Sequence, residues 1–194
     1  MIVRVRMKGW GRVFREPVFV VGVGLGAALG WGLPQLIIID WHQAVPPLDE
    51  PLVIRADAKG DGRFDAPRSG NRRHHGVDLE APLGSPVRAI RGGLVIASGK
   101  HRGLGRYIEV EHANRLRSLY GHLDALLVPA GARVRQGDVI GTVGKTGNAR
   151  HPLITPHVHL EVRRDGSPID PATLGLALIA PSTPSEHADA DGGE

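Results

Sequence analysis

The sequence predicts a mainly β domain preceded by one membrane-spanning helix, and three observations carry that expectation. Of 194 residues, 27 are Gly and 15 are Pro, a share that disfavours a helical bundle and stops short of low complexity. Short apolar runs, each closed by Gly or Pro, fill the middle of the chain, which is the pattern of strands joined by tight turns. From Pro17 to Ile39 there is no Asp, Glu, Lys, Arg or His, a run long enough for a membrane-spanning helix.

Residues 1–16 carry Arg4, Arg6, Lys8, Arg12 and Arg15 against Glu16, which accounts for the whole formal excess of +4. With no concentrated basic face or recognition motif beyond it, a nucleic-acid partner is not expected. This segment is read as a cytoplasmic basic stretch and 17–39 as a transmembrane signal anchor. As a helix, Val18 to Ile39 is about 33 Å long, enough to cross a hydrocarbon core of roughly 30 Å. The basic residues before it hold the N-terminus in the cytoplasm and place everything after Asp40 outside, in the periplasm or beyond the membrane. Cleavage near Gly26-Ala27-Ala28 is the competing reading, but it would leave Trp31 to Ile39 as an exposed apolar terminus.

Residues 40–56, with Pro46, Pro47 and Pro51, read as an extended linker. A single domain follows over 57–178. Its expected strands are Leu94 to Ala97, Tyr107 to Glu111, Ser118 to Tyr120, Val139 to Val143 and His157 to Val162, with a hairpin turn at Ala113-Asn114-Arg115 and a short helical turn near Pro171 to Leu178. The segment 179–194 holds Glu186, Asp189, Asp191 and Glu194 and little to bury, so it reads as a disordered acidic tail.

The chain has no Cys and 10 His. That excludes a disulfide scaffold, a Cys-ligated zinc finger and a thiol nucleophile, and leaves His and carboxylates as the metal ligands. Arg73-His74-His75-Gly76-Val77-Asp78 contains His-x-Gly-x-Asp, Thr155-Pro156-His157-Val158-His159 contains His-x-His, and Tyr120-Gly121-His122 lies between them. Residues two apart on a strand share a face, so His157 and His159 look into one groove. Two imidazoles and a carboxylate that leave one position for water are the donor set of a catalytic zinc. Gly144-Lys145-Thr146 is no phosphate loop, because Val139 stands where the motif needs Gly. His42, His101, His112, His151 and His187 lack motif support and read as surface or linker residues, and His75 as turned away from the ligands.

Taken in order, these motifs resemble those of the lysostaphin and LytM-type zinc metallopeptidases, which cut peptide bonds in peptidoglycan. The likeness runs from about Gly60 to Asp170 and takes in Ala81-Pro82-Leu83-Gly84-Ser85-Pro86 and the glycine-rich stretch from Gly131 to Gly147. It implies an antiparallel β-sheet domain of the LytM/lysostaphin type (duplicated hybrid motif-like) with a narrow substrate groove. It further implies one zinc ion held by His74, Asp78 and His159, with His122 and His157 as catalytic residues. Stem-peptide cross-links are the expected substrate. The alternative is a non-catalytic LytM-like regulator that activates another wall hydrolase; such relatives lose metal ligands, and all five residues are present here.

Overall fold

The structure is a computed structural model and describes residues 43–49 and 51–181. The expected basic segment 1–16, the signal anchor at 17–39 and the acidic tail from 182 onward lie outside the described residues, whereas Ile179, at the start of the expected tail 179–194, is strand-paired with Val53. Among those described there is no α-helix, and no helix is long and apolar enough to cross a membrane.

In chain order the strands begin with β1 (Leu52–Val53) and two small hairpins, β2 (Ala56–Asp57) with β3 (Gly60–Asp61) and β4 (Pro67–Arg68) with β5 (Arg72–Arg73). There follow β6 (Gly76–Glu80), β7 (Pro86–Arg88), β8 (Gly93–His101), β9 (Gly105–Glu111) and β10 (Leu116–Leu123). The last are β11 (Arg133–Val134), β12 (Val139–Thr142), β13 (His157–Arg164), β14 (Ser167–Ile169) and β15 (Leu178–Ile179). Single 3-10 turns occupy Gly147–Arg150 and Pro171–Leu174. All five expected strands are present, most of them longer than their apolar runs. The turn at Asn114 and Arg115 has φ of +58° and +54°, the backbone of a tight hairpin loop.

The main sheet is antiparallel in the order β11-β8-β9-β10-β13, and β13 is met on its other side by β6 and β14. Its two faces have opposite chemistry because side chains alternate along a strand. On β13, Val158, Leu160 and Val162 have no exposure and join Val77, Leu79, Ile108 and Tyr120 in the core. His157, His159 and Glu161 point the other way, and β6 lays Asp78 directly opposite His159.

The expected linker at 40–56 is corrected by the packing of its described residues. Ala44, Leu48, Leu52 and Ile54 are buried in the core, and β1 pairs with β15 in parallel register. An apolar residue every few positions, Leu48 to Leu52 to Ile54, gains more from burial than an extended strap gains from solvation.

Candidate metal centre and active site

Three donor atoms converge at the floor of a groove of about 810 Å³. His74 Nε2 lies 3.0 Å from His159 Nδ1 and 3.1 Å from Asp78 Oδ1, and the latter two are 2.9 Å apart. All three residues are buried. Each is placed by a separate device. β6 and β13 pair Asp78 with His159. His74, just before β6, is tied by its N–H to the Ala66 carbonyl at 3.0 Å. Gly76 lets β6 lie this close: a Cβ there would meet Leu160 O at 2.4 Å and His159 Cε1 at 2.9 Å.

The partners of the remaining ring nitrogens decide which nitrogen of each imidazole faces the cluster. His74 Nδ1 donates to Arg63 O at 2.8 Å, so Nε2 is the nitrogen turned to Asp78 and to any ion held there. His159 Nε2 faces Glu161 Oε2 at 3.7 Å, leaving Nδ1 toward Asp78, and Glu161 is itself held by Arg163 Nε at 2.6 Å. Zinc with ligands at 2.0–2.1 Å in tetrahedral geometry sets them about 3.3 Å apart, so this nearly equilateral triangle fits the ion. Burial disfavours charge on both sides of the cluster, yet hydrogen bonds from His159 and His74 hold Asp78 well below the usual carboxylate range. Burial likewise opposes the His159 imidazolium, and Asp78 and Glu161 more than offset it, pushing its pKa up to about 9. That preference for a positive charge is one a cation satisfies.

His122 and His157 sit beside the triangle with ring centroids 4.9 Å apart, and His122 is 6.0 Å from His159. His157 Nδ1 donates to Thr155 O at 2.7 Å and His122 Nδ1 to Thr146 O at 2.9 Å, so each offers Nε2 as an acceptor. Burial, then the charges of His157 and His159, lower the His122 pKa to about 3, and burial lowers that of His157. Both imidazoles are therefore neutral near pH 7. His122 has φ of +61° at a register shift between β9 and β10. Such a backbone in a non-Gly residue persists where the surrounding structure over-determines it.

All five predicted site residues thus meet in one groove, while His75 is exposed on its lining and stands outside the donor triangle. His112 corrects its surface assignment: it is buried, with Nδ1 3.0 Å from Gly92 O and Nε2 2.7 Å from Ser118 Oγ. Sequence reasoning missed Arg55 and Asp57. Arg55 is 5% exposed and reaches Asp78 Oδ2 at 3.0 Å with NH2 and Asp57 with NH1. Its one local signal was an arginine ending the apolar run Leu52 to Ile54.

Residues 72–171 match peptidase family M23. Among curated relatives, the chain is 41% identical over 105 residues to the DD-carboxypeptidase/endopeptidase Mpg of Neisseria meningitidis, covering 54% of this chain and 23% of that protein. It is 37% identical over 105 residues to the peptidoglycan DD-endopeptidase ShyC of Vibrio cholerae, with the same coverage of 54% and 23%. The chain thus spans about a quarter of the length of these relatives. Among solved structures, the catalytic domain of the prophage-encoded M23 protein EnpA from Enterococcus faecalis superposes with a TM-score of 0.53 at 30% identity, covering 67% of this chain and 96% of that one. With just over half its length matched, and with the motifs of that family gathered in one groove, the chain belongs to peptidase family M23, the LytM/lysostaphin family.

Proposed function

We propose that the chain is a membrane-anchored zinc metalloendopeptidase that hydrolyses peptide bonds in peptidoglycan cross-links. The observation that carries this reading is the triangle of His74 Nε2, Asp78 Oδ1 and His159 Nδ1 with two neutral imidazoles beside it. His74, Asp78 and His159 would hold the ion, which supplies Lewis acidity and lowers the pKa of water at the site.

His122 and His157 supply the proton chemistry. With Nδ1–H committed to Thr146 O and Thr155 O, each can accept a proton only at Nε2. One imidazole takes the proton of the attacking water at that atom. The Nε2–H so formed becomes a donor, first toward the oxyanion that develops on the scissile carbonyl and then toward the leaving amine. The other imidazole orients the water by accepting its second hydrogen. No Glu is needed as base.

Charge around the groove supports an acidic peptide as substrate. Lys59, Arg68, Arg72 and Arg73 are among the residues that line it, and an adjoining hollow of about 450 Å³ is lined by Lys100, Arg102, Arg106 and Arg150 with no acidic side chain. Stem peptides with free carboxylates meet these cations; an uncharged glycine bridge does not. Anchoring through 17–39, with the N-terminus cytoplasmic and the β domain in the periplasm or outside the membrane, is supported by the run free of charged residues behind a basic segment.

The test is to incubate the zinc-loaded chain with cross-linked peptidoglycan fragments and identify products by mass spectrometry beside a chelated control. A new amine terminus that needs metal is expected. Intact substrate despite one bound zinc per chain would overturn the endopeptidase in favour of the regulator.

A further inference from the structure

A network of polar contacts starting in the segment ahead of the matched family region runs from one proposed metal ligand to one proposed catalytic histidine. Asp78 presents Oδ1 to His74 and His159, while its other oxygen, Oδ2, is held by Arg55 NH2 at 3.0 Å and approached by Arg68 NH2 at 3.5 Å. The second arm of the Arg55 fork, NH1, donates to Asp57 Oδ2 at 2.5 Å. That same carboxylate oxygen accepts the Thr155 N–H at 3.1 Å, and Thr155 O in turn holds His157 Nδ1 at 2.7 Å.

The backbone fixes this contact as firmly as the side chains do. Arg55 N donates to Asp78 O, Asp78 N to Gly62 O and Gly62 N to Arg55 O, each at 2.8 Å. A Cβ on Gly62 would lie 2.8 Å from both Arg55 O and Asp78 Cβ, so glycine there is what permits the close approach. The Arg55 and Asp57 side chains are 6% and 9% exposed, and Arg55 Nε is buried without a hydrogen-bond partner. Burying a guanidinium with one donor unmet is costly, and apolar residues commonly replace such pairs without loss of stability. The arrangement therefore points to a task other than stability.

Resting on the metallopeptidase reading, we propose that Arg55 and Asp57 are positioning residues of the metal centre. Arg55 holds Asp78 to ligation through Oδ1 alone, and Asp57 couples that guanidinium to the Thr155 carbonyl that orients His157. Arginine suits the task because its planar fork spans two carboxylates, which a lysine ammonium cannot do with the same geometry.

The experiment uses the full chain in detergent and reads zinc affinity by competition with a chelator, beside the melting temperature of the metal-free protein. Arg55→Gln is expected to weaken zinc binding about 10–100-fold, the usual effect of removing a partner that orients a ligand, with the metal-free protein still melting cooperatively. Asp57→Asn is expected to keep zinc affinity within about threefold while cutting kcat about tenfold or more at unchanged KM, as a misplaced His157 would. Arg55→Lys is expected to fall between wild type and Arg55→Gln. A folded Arg55→Gln with wild-type zinc affinity overturns the proposal; should that variant not fold, wild-type affinity in Arg55→Lys overturns it equally. Because zinc affinity is read without substrate, a wild type that binds zinc and cleaves nothing strikes the endopeptidase reading alone, whereas a wild type that binds no zinc overturns both.

Discussion

His159 Nδ1 lies 2.9 Å from Asp78 Oδ1, and the two residues are direct partners across the antiparallel pair β6 and β13. The backbone ladder itself therefore brings two of the three donors together. His159→Ala removes one donor while Val158 and Leu160, on the opposite face of β13, stay packed. Bound zinc, measured per chain by elemental analysis after desalting, is expected to fall from one to near zero, and cleavage with it. Normal cleavage by this variant would sink the metal assignment.

His122 approaches the triangle without belonging to it. His122→Ala is expected to keep zinc affinity near wild type while lowering kcat by about 10²–10⁴-fold, the range of one proton-transfer group. Single-turnover kinetics on a cross-linked dimer beside a zinc titration would separate the two effects. Loss of zinc together with activity would instead make His122 a ligand.

Gly76 faces Leu160 O so closely that any side chain collides with the strand bearing His159. Gly76→Ala is expected to cost about 1–3 kcal/mol through overpacking and to weaken zinc binding, because Asp78 rides on the same strand. Gly99→Ala, where a Cβ would meet nothing within 4 Å, is the control and is expected to change neither. Chemical denaturation and chelator competition on both variants check this.

Tyr120 is fully buried, and its oxygen accepts hydrogen bonds from Ile90 N at 2.8 Å and from Ser118 Oγ at 2.9 Å. Burial outweighs those bonds and pushes its pKa up to about 12. An unfolded tyrosine titrates near 10, so the unfolded chain loses its phenol proton first and stability falls as pH rises from about 10 toward 12. Urea midpoints at pH 8 and pH 11 are expected to differ less in Tyr120→Phe than in wild type. The same variant is expected to be about 1–3 kcal/mol less stable at pH 8, since two buried donors lose their acceptor. An equal pH slope in both proteins would contradict the assignment.

Much of the site was legible because its ligands sit in short motifs whose spacing carries the geometry. His-x-His needs only the two-residue repeat of a strand to place His157 and His159 on one face, and the run of β propensity around them located β13. The turn at Asn114 and the core alternation of Val158, Leu160 and Val162 followed from the same local rules. His122 was legible as a candidate through its place between the motifs, but its direction was not: it depends on a register shift and a left-handed backbone that no single-residue propensity encodes. His112 has neither motif nor periodicity to mark it, and its burial comes from Gly92 and Ser118 lying against it.

The sequence by itself determined the mainly β class, through composition and strand patterning, and the motifs whose family resemblance implies the five residues of the proposed centre. The tertiary structure alone decided how close His74, Asp78 and His159 come, that ring orientations are set by the Arg63, Thr146 and Thr155 carbonyls, and that residues 44–49 and 51–55 belong to the packed domain. It also brought Arg55 to Asp78 across 23 positions of chain. Such contacts form when folding closes long loops and buries charges against one another. Their energy depends on distance and burial, neither of which is present in the order of the residues.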